Sequence, residues 1–237
     1  MLVHESWQQS VLNAYMALDS KYRAFLEEDR GYFPDFSNFL NAFKTLPKNK
    51  TKAILFGQDP YPRQKSAIGY AFIDGNVKNI FSDKGLSKEV NRATSLRNFI
   101  KMLLLCAEKL TLESLTQENI AKLDKNKLIA NIMELKDNFE ANGILLLNTS
   151  LVFVNKDDTS FHVKAFEPFM RTLLSQLSND KIELILFGNI AKEIKKLLPE
   201  NHNFTLMQTC HPYNLEFITD KKVLDYFAPM NLLELRQ

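Results

Sequence analysis

Three side chains placed at strand ends carry the chemistry this sequence offers: a carboxylate at Asp59, an amide at Asn148 and an imidazole at His211. The first lies in ILFGQDPYP, residues 54–62, where an apolar run breaks at Gly57. An amide, a carboxylate, a phenol and two prolines follow. Pro60 and Pro62 lack the N–H that a sheet ladder needs, so the strand stops there. Gln58, Asp59 and Tyr61 then ride on a stiff loop, with Asp59 and Tyr61 held extended by the prolines after them. A rigid loop aiming a carboxylate into the crevice at a strand's carboxyl end is a catalytic posture. The plain alternative, which composition alone favours, is a proline-stiffened turn whose Asp caps its own backbone.

Four strands must position these groups. Ile54–Phe56 reads as a buried strand of a parallel sheet. NGILLLNTS (142–150) repeats its layout, a glycine and an apolar run ending in Asn148 and Thr149. ELILFGN (183–189) is a third strand ending in Gly188, and FTLMQTCHP (204–212) a fourth that runs into His211 and Pro212. Helical spacing fills the gaps. Trp7, Val11, Tyr15, Leu18 and Tyr22 predict one helix over 5–28, and Asp35 caps a second carrying Phe39, Leu40 and Phe43. Ser95 caps a helix with Leu96, Phe99, Ile100, Leu103 and Leu104 on one face. One or two helices follow over 118–141, another over 165–178, and a last one carries Ile190, Ile194, Leu197 and Leu198. Residues 65–94 are irregular, with Tyr70–Ile73 the one strand-like piece.

Strands alternating with helices imply crossover connections and a parallel sheet. The predicted class is α/β: a central four-stranded parallel sheet between helices, an α/β/α sandwich. All strand carboxyl ends then share one edge, where Gln58–Tyr61, Asn148 and His211 converge. With no linker, charge block or long-period repeat, residues 1–237 read as one domain with an N-terminal helical segment over about 1–45.

Composition sets bounds. The chain has 237 residues, 45% hydrophobic and 24% charged, enough for a sizeable core and typical of a globular protein. A net charge of +2 permits a nucleic-acid partner without establishing one. Cys106 and Cys210 form no CxxC pair, which favours a reducing compartment, and a cytoplasmic location is expected. The first residues lack a signal-peptide core, and no apolar run approaches the ~20 residues that span a bilayer. His4, His202, Cys106 and the scattered acids show no ligand spacing, so neither metal nor cofactor is expected.

Six blocks together resemble a known family: GQDPYP (57–62), GYAF (69–72), SLRNFIKML (95–103), GILLLNTSL (143–151), ILFGNIAKE (185–193) and HPYNL (211–215). Their order and spacing are similar to those of family-1 uracil-DNA glycosylases, as is the lead-in FPDFSNFLNAFK (33–44). The resemblance spans roughly residues 33–215. It implies hydrolysis of the N-glycosidic bond of deoxyuridine in DNA after the base is flipped out of the stack, as a first step of base-excision repair. It also implies roles. Asp59 orients water and stabilises a cationic sugar, and His211 donates to uracil O2 as charge develops there. Asn148 reads the base edge, Tyr61 blocks a C5 methyl group, Phe72 stacks on the ring and Gln58 contributes backbone contacts. Leu215 is the wedge that fills the vacated space. Pro62, Ser95, Gly188, Pro212, Tyr213 and Asn214 contact the DNA. The implied partners are uracil-containing DNA, single- or double-stranded, and a protein inhibitor or repair proteins. The chain is expected to act as a monomer away from membranes.

Plain readings stand beside these roles. Phe72, in a chain with 18 Phe, is by default a core residue; His211 satisfies a backbone group; Asn148 caps a turn; Leu215 covers the sheet. Cys210 beside His211 suggests a thiol nucleophile, although a strand-end Cys is usually packing. The basic cluster Lys78, Lys84, Lys88, Arg92, Arg97 and Lys101 is either a solvated face or a phosphate-tracking groove. The chain also departs from the family. Pro62 replaces the usual His, Tyr213-Asn214 replace Ser-Pro, Glu216 follows the wedge, and Ala93-Thr94 stand where a proline-rich run is common. These changes touch the DNA grip rather than the chemistry. They motivate the alternative of a glycosylase-like DNA-binding or polymerase-accessory protein. An unrelated nucleotide-binding enzyme is disfavoured by the lack of any phosphate loop or GxGxxG.

Overall fold

In the computed structural model, which describes residues 2–236, the run before Gln58 is strand β1 (Ala53–Gly57), buried from Ala53 to Phe56. The chain reaches it through α1 (Gln8–Met16) and α2 (Ser20–Glu27). The single helix expected over 5–28 is broken at Asp19. Its carboxylate accepts from the backbone N–H groups of Lys21 and Tyr22 and so starts a second helix. Asp35 does not cap a helix either. It accepts from Ser37 Oγ and Asn38 Nδ2 and folds a run of turns ending in a 3-10 turn at Asn41–Phe43. Phe39, Leu40 and Phe43 are buried all the same. Local side-chain hydrogen bonds displaced the helix and kept its apolar contacts.

After β1, Tyr70–Ile73 is a turn rather than a strand. The extended pieces of that stretch are β2 (Phe81–Ser82) and β3 (Gly85–Leu86), paired antiparallel, and the short α3 (Lys88–Arg92) follows. In α4 (Thr94–Cys106) the five expected apolar residues are all buried. Its N-cap position is Ala93, so Ser95 lies inside the first turn and caps nothing. Two helices do fall within 118–141 or at its edge, α5 (Gln117–Ala121) and α6 (Ile132–Ala141), the latter opened by an Asn131–Glu134 capping box. Then come β4 (Ile144–Asn148), α7 (Thr159–Ala165), α8 (Glu167–Leu177) and β5 (Glu183–Phe187). The chain closes with α9 (Ile190–Lys195), β6 (Thr205–Thr209) and α10 (Lys221–Phe227).

The sheet order is β4-β1-β5-β6. β1 runs parallel to β4, with Gly57 opposite Asn148, and parallel to β5, with Phe56 opposite Leu186. The fold is a four-stranded parallel sheet flanked by helices, as expected. β1, β4 and most of β5 are buried apolar runs because both faces are covered, whereas β6 (TLMQT) is only partly buried.

Two compact units divide the chain. One joins the chain up to Asp74 with Gly143–Gln208 and holds the sheet with α1, α2, α7, α8 and α9. There α1 packs on α8, and Trp7 meets Phe43 edge-on while its Nε1 donates to the Leu46 carbonyl at 2.8 Å. The other joins Gly75–Asn142 with the chain from Thr209 onward. Its core gathers around Phe99, whose ring lies 5.9 Å from Phe139, 5.9 Å from Phe217 and 5.3 Å from Phe227. Among the described residues no helix is long and apolar enough to cross a membrane.

Candidate active site

In the first unit the site is built from the carboxyl ends of β1 and β4. A Cβ at Gly57 would run into Asn148 Oδ1 and come within 3.0 Å of Ala71 Cβ. Gly57 is therefore fixed by the close approach of the Asn148 amide, not by backbone shape. Asn148 is only 6% exposed, yet among the described residues no protein group hydrogen-bonds its side chain. It does not cap its turn. That job falls to Thr149, whose N–H donates to the Gly57 carbonyl at 2.9 Å and whose Oγ1 donates to the Gln58 carbonyl at 2.8 Å. The Ser150 N–H donates to the same Gln58 carbonyl at 2.8 Å. These bonds carry the β1–β4 ladder one step past the strands and pin the loop that bears Asp59. They also occupy the Gln58 carbonyl, which leaves its N–H and its exposed side chain for other partners.

Asp59 is half-buried and, among the described residues, has no ion-pair or hydrogen-bond partner on its carboxylate. Burial raises its pKa above the ordinary carboxylate value. A carboxylate kept partly dry with no compensating partner is a functional-site signature. Tyr61 donates to the Phe72 carbonyl at 3.4 Å. Burial, reinforced by the Asp74 carboxylate, pushes its phenol far above the usual range and keeps it neutral.

Phe72 sits at φ +63°, a left-handed conformation that is a true outlier for a bulky residue. Its ring stands edge-on to Phe187 at 5.5 Å. The turn around it is fastened by the Ala71 N–H to the Leu146 carbonyl at 3.2 Å and by an antiparallel bridge between Ala67 and Asp74. The expected strand at 70–73 is thus a strained turn that presents an aromatic ring. Such strain is kept where the surroundings enforce it, often at binding sites. Gly188, at φ +62°, makes the turn after β5.

In the second unit, His211 follows the end of β6 by two residues and is half-buried. Its Nδ1 accepts the Tyr213 backbone N–H at 3.1 Å, so a neutral ring carries its proton on Nε2. Burial lowers the imidazole pKa and favours that neutral form. The Asn214 N–H closes a turn onto the His211 carbonyl at 2.9 Å, with Pro212 buried at its second position. Tyr213 and Leu215 are 66% and 70% exposed, so Leu215 does not cover the sheet.

Sequence reasoning missed Asn98. It is 1% exposed on α4, and its Nδ2 donates to the carbonyls of Pro212 at 2.8 Å and Tyr213 at 3.3 Å. An amide set among Leu96, Phe99 and Met102 on a buried helix face was the signal that could have found it. The basic cluster divides. Lys78, Lys84, Lys88 and Arg92 are exposed, whereas Arg97 donates to the Asn91 carbonyl at 2.9 Å and Lys101 to that of Leu115 at 3.4 Å. Among the described residues no group of three His, Cys, Asp or Glu could hold a metal ion.

No protein-family model matches the chain. A uracil-DNA glycosylase of Campylobacter jejuni (strain RM1221) is 24% identical over 217 residues, covering 89% of this chain and 80% of that protein. One from Amoebophilus asiaticus is 29% identical over 182 residues, covering 76% and 68%. The crystal structure of wild-type UNG from Nitratifractor salsuginis is 46% identical, covers 99% of this chain and 94% of its own, and superposes with a TM-score of 0.96. Mimivirus uracil-DNA glycosylase, 16% identical with a TM-score of 0.56, shares the fold. A mimivirus UNG variant of similar likeness, TM-score 0.57, was crystallised in complex with UGI.

Proposed function

The chain belongs to the uracil-DNA glycosylases, and from that premise we propose how its residues divide the hydrolysis of the bond joining uracil to deoxyribose in DNA. The base must leave the stack before any of them can reach it, at a cost of a few kcal/mol. As the C1′–N1 bond breaks, its electron pair leaves with uracil and collects on O2, while the sugar becomes oxocarbenium-like. Water then adds at C1′ and gives up one proton, which balances the charge of the departing uracil anion, and an abasic site is left.

Asp59 orients that water, and its negative charge stabilises the cationic sugar. The Nε2–H of His211 donates to O2 as it gains charge, a stabilisation of oxyanion-hole type. A neutral imidazole suffices, because the Tyr213 N–H already occupies Nδ1. Asn148 accepts from uracil N3–H and donates to O4. Cytosine inverts both groups, so it would leave buried polar atoms facing like partners. Tyr61 sets its edge against C5 and excludes the thymine methyl. Phe72 stacks on the ring, and Gln58 contributes its N–H.

The single observation that carries this reading is the pressing of the Asn148 amide onto a residue without a Cβ. A reader of base edges has to be held in one orientation, and close packing at Gly57 supplies that hold.

Leu215 is the wedge, and Pro62, Gly188, Pro212, Tyr213, Asn214 and Ser95, from within the first turn of α4, contact the backbone of the DNA. The exposed Tyr213-Asn214-Leu215-Glu216 run is bulky and acidic, which shifts preference towards single strands. A protein inhibitor of the kind bound by the mimivirus protein is a further partner in this reading. Uracil release from matched single-stranded, U·A and U·G oligonucleotides, with a cytosine control, tests the whole reading. Release of uracil and retention of cytosine support it; equal release of both removes Asn148 from the role of base-edge reader.

A further inference from the structure

We propose that Asn98 is a positioning residue that fixes the tautomer of His211 by gripping the peptide bond between Pro212 and Tyr213; its catalytic consequence rests on the reading of His211 as donor to the departing base. A trans peptide unit is a rigid plane whose carbonyl oxygen and N–H point to opposite sides. Both ends of the 212–213 plane are held. At one end Asn98 Nδ2 donates to the Pro212 carbonyl at 2.8 Å; at the other the Tyr213 N–H donates to His211 Nδ1 at 3.1 Å. The longer bond from the same Nδ2 to the Tyr213 carbonyl, 3.3 Å, holds the next plane as well. Turning the first plane would carry the N–H away from Nδ1 and free the ring to take its proton on either nitrogen. Asn98 therefore acts on His211 through a rigid lever.

The chemistry of Asn98 itself favours this role over packing. Its Oδ1 is buried with no hydrogen-bond partner, an unfavourable state that a buried residue would ordinarily avoid. Its neighbours on α4, Leu96, Phe99 and Met102, are apolar and buried. Leucine has the same branching and number of side-chain heavy atoms and, though bulkier, would suit an apolar face without an orphaned oxygen. The amide is kept for its NH2 group, and both atoms that group faces are carbonyl oxygens, which fixes its orientation.

The test uses the full chain labelled with 15N-histidine and reads the protonation of the two His211 ring nitrogens by NMR. The wild type is expected to show the proton on Nε2 and Nδ1 bare. In Asn98→Leu the two tautomers are expected to mix, single-turnover uracil release to fall about ten- to hundredfold, and the melting temperature to fall modestly, because the Pro212 carbonyl loses this donor. In a His211→Ala background the same substitution is expected to cost nothing more, since the two act in series. Asn98→Ala, which removes the donor without adding bulk, gives the same reading should the leucine variant not fold. A His211 ring that keeps its proton on Nε2 in both variants overturns the proposal, whatever the activity. Mixed tautomers with unchanged uracil release would leave the lever standing and remove His211 from the donor role, so the two readings fail separately.

Discussion

The backbone N–H of Tyr213 points at His211 Nδ1 from 3.1 Å, and this one bond decides what the imidazole can do. An imidazolium carries a proton on both nitrogens, so Nδ1 would then face another N–H. Charging the ring requires breaking that bond, and burial disfavours the charge as well. Both effects favour a neutral His211 ring with its proton on Nε2, where the proposed mechanism needs a donor.

The pH dependence follows. The His211 pKa lies below its ordinary value, which favours the neutral ring, and that of Asp59 lies above the ordinary carboxylate value, so its charge is lost at a higher pH than a free carboxylate's would be. As pH falls, Asp59 takes up a proton and loses the charge that the proposed mechanism sets against the cationic sugar. A single acid limb in kcat/KM is expected, set by Asp59, and Asp59→Asn should flatten it while lowering the rate by roughly 10²–10⁴-fold. A limb that persists unchanged in the variant would assign it to another group.

Stability should move the other way. Folding raises the Asp59 pKa, so the folded state holds its proton more tightly than the unfolded chain. The associated stability is fully present below the unfolded carboxylate pKa, about 3.9, and is lost as pH rises through the folded value. At pH 7 Asp59→Asn is therefore expected to melt at or above the wild-type temperature, with the difference vanishing in acid. A variant that melts well below wild type at pH 7 would mean that the carboxylate has a stabilising partner.

Gly57 tests how Asn148 is held. Gly57→Ala places a methyl group against Asn148 Oδ1 and should cut uracil release about 10- to 100-fold by displacing the amide. In an Asn148→Ala background the same substitution should cost little, a non-additivity that kinetics on the four proteins of the cycle would read. Additive losses would show that Gly57 matters for some other reason.

The exposed loop makes a fourth case. Leu215→Ala is expected to slow uracil release from duplex by roughly tenfold and leave single-stranded substrate nearly untouched, since only a duplex has a vacated space to fill. Glu216→Gln should strengthen duplex binding at low salt, an effect that fades as salt screens the charge. Equal losses on both substrates for Leu215→Ala would take the wedge role away.

What could be read from the residues follows a physical line. β1, β4 and β5 were legible because buried parallel strands are apolar runs, and Gly57 and Gly188 mark where two of them end; β6, only partly buried, was legible from the His-Pro break that follows it. The buried face of α4 was legible from its spacing. The break at Asp19 was not, because Leu18 and Tyr22 keep the helical spacing across it while the Asp side chain ends one helix and starts the next. Phe72 defeated the strand reading of 70–73, since nothing in an aromatic's propensity announces a positive φ that only its surroundings enforce. Ser95 looked like a cap, but the helix begins one residue earlier and leaves it inside. Asn98 carried a visible oddity, a polar group on an apolar face, whose meaning depends on carbonyls more than a hundred residues away.

The most direct measurement is single-turnover release of free uracil from a uracil-containing oligonucleotide, without added metal or cofactor, by wild type, Asp59→Asn and His211→Ala. Wild type should yield uracil and an alkali-labile abasic site, with both variants slower by orders of magnitude though still folded. No uracil from the wild type, or undiminished release by folded Asp59→Asn and His211→Ala, would contradict the assignment.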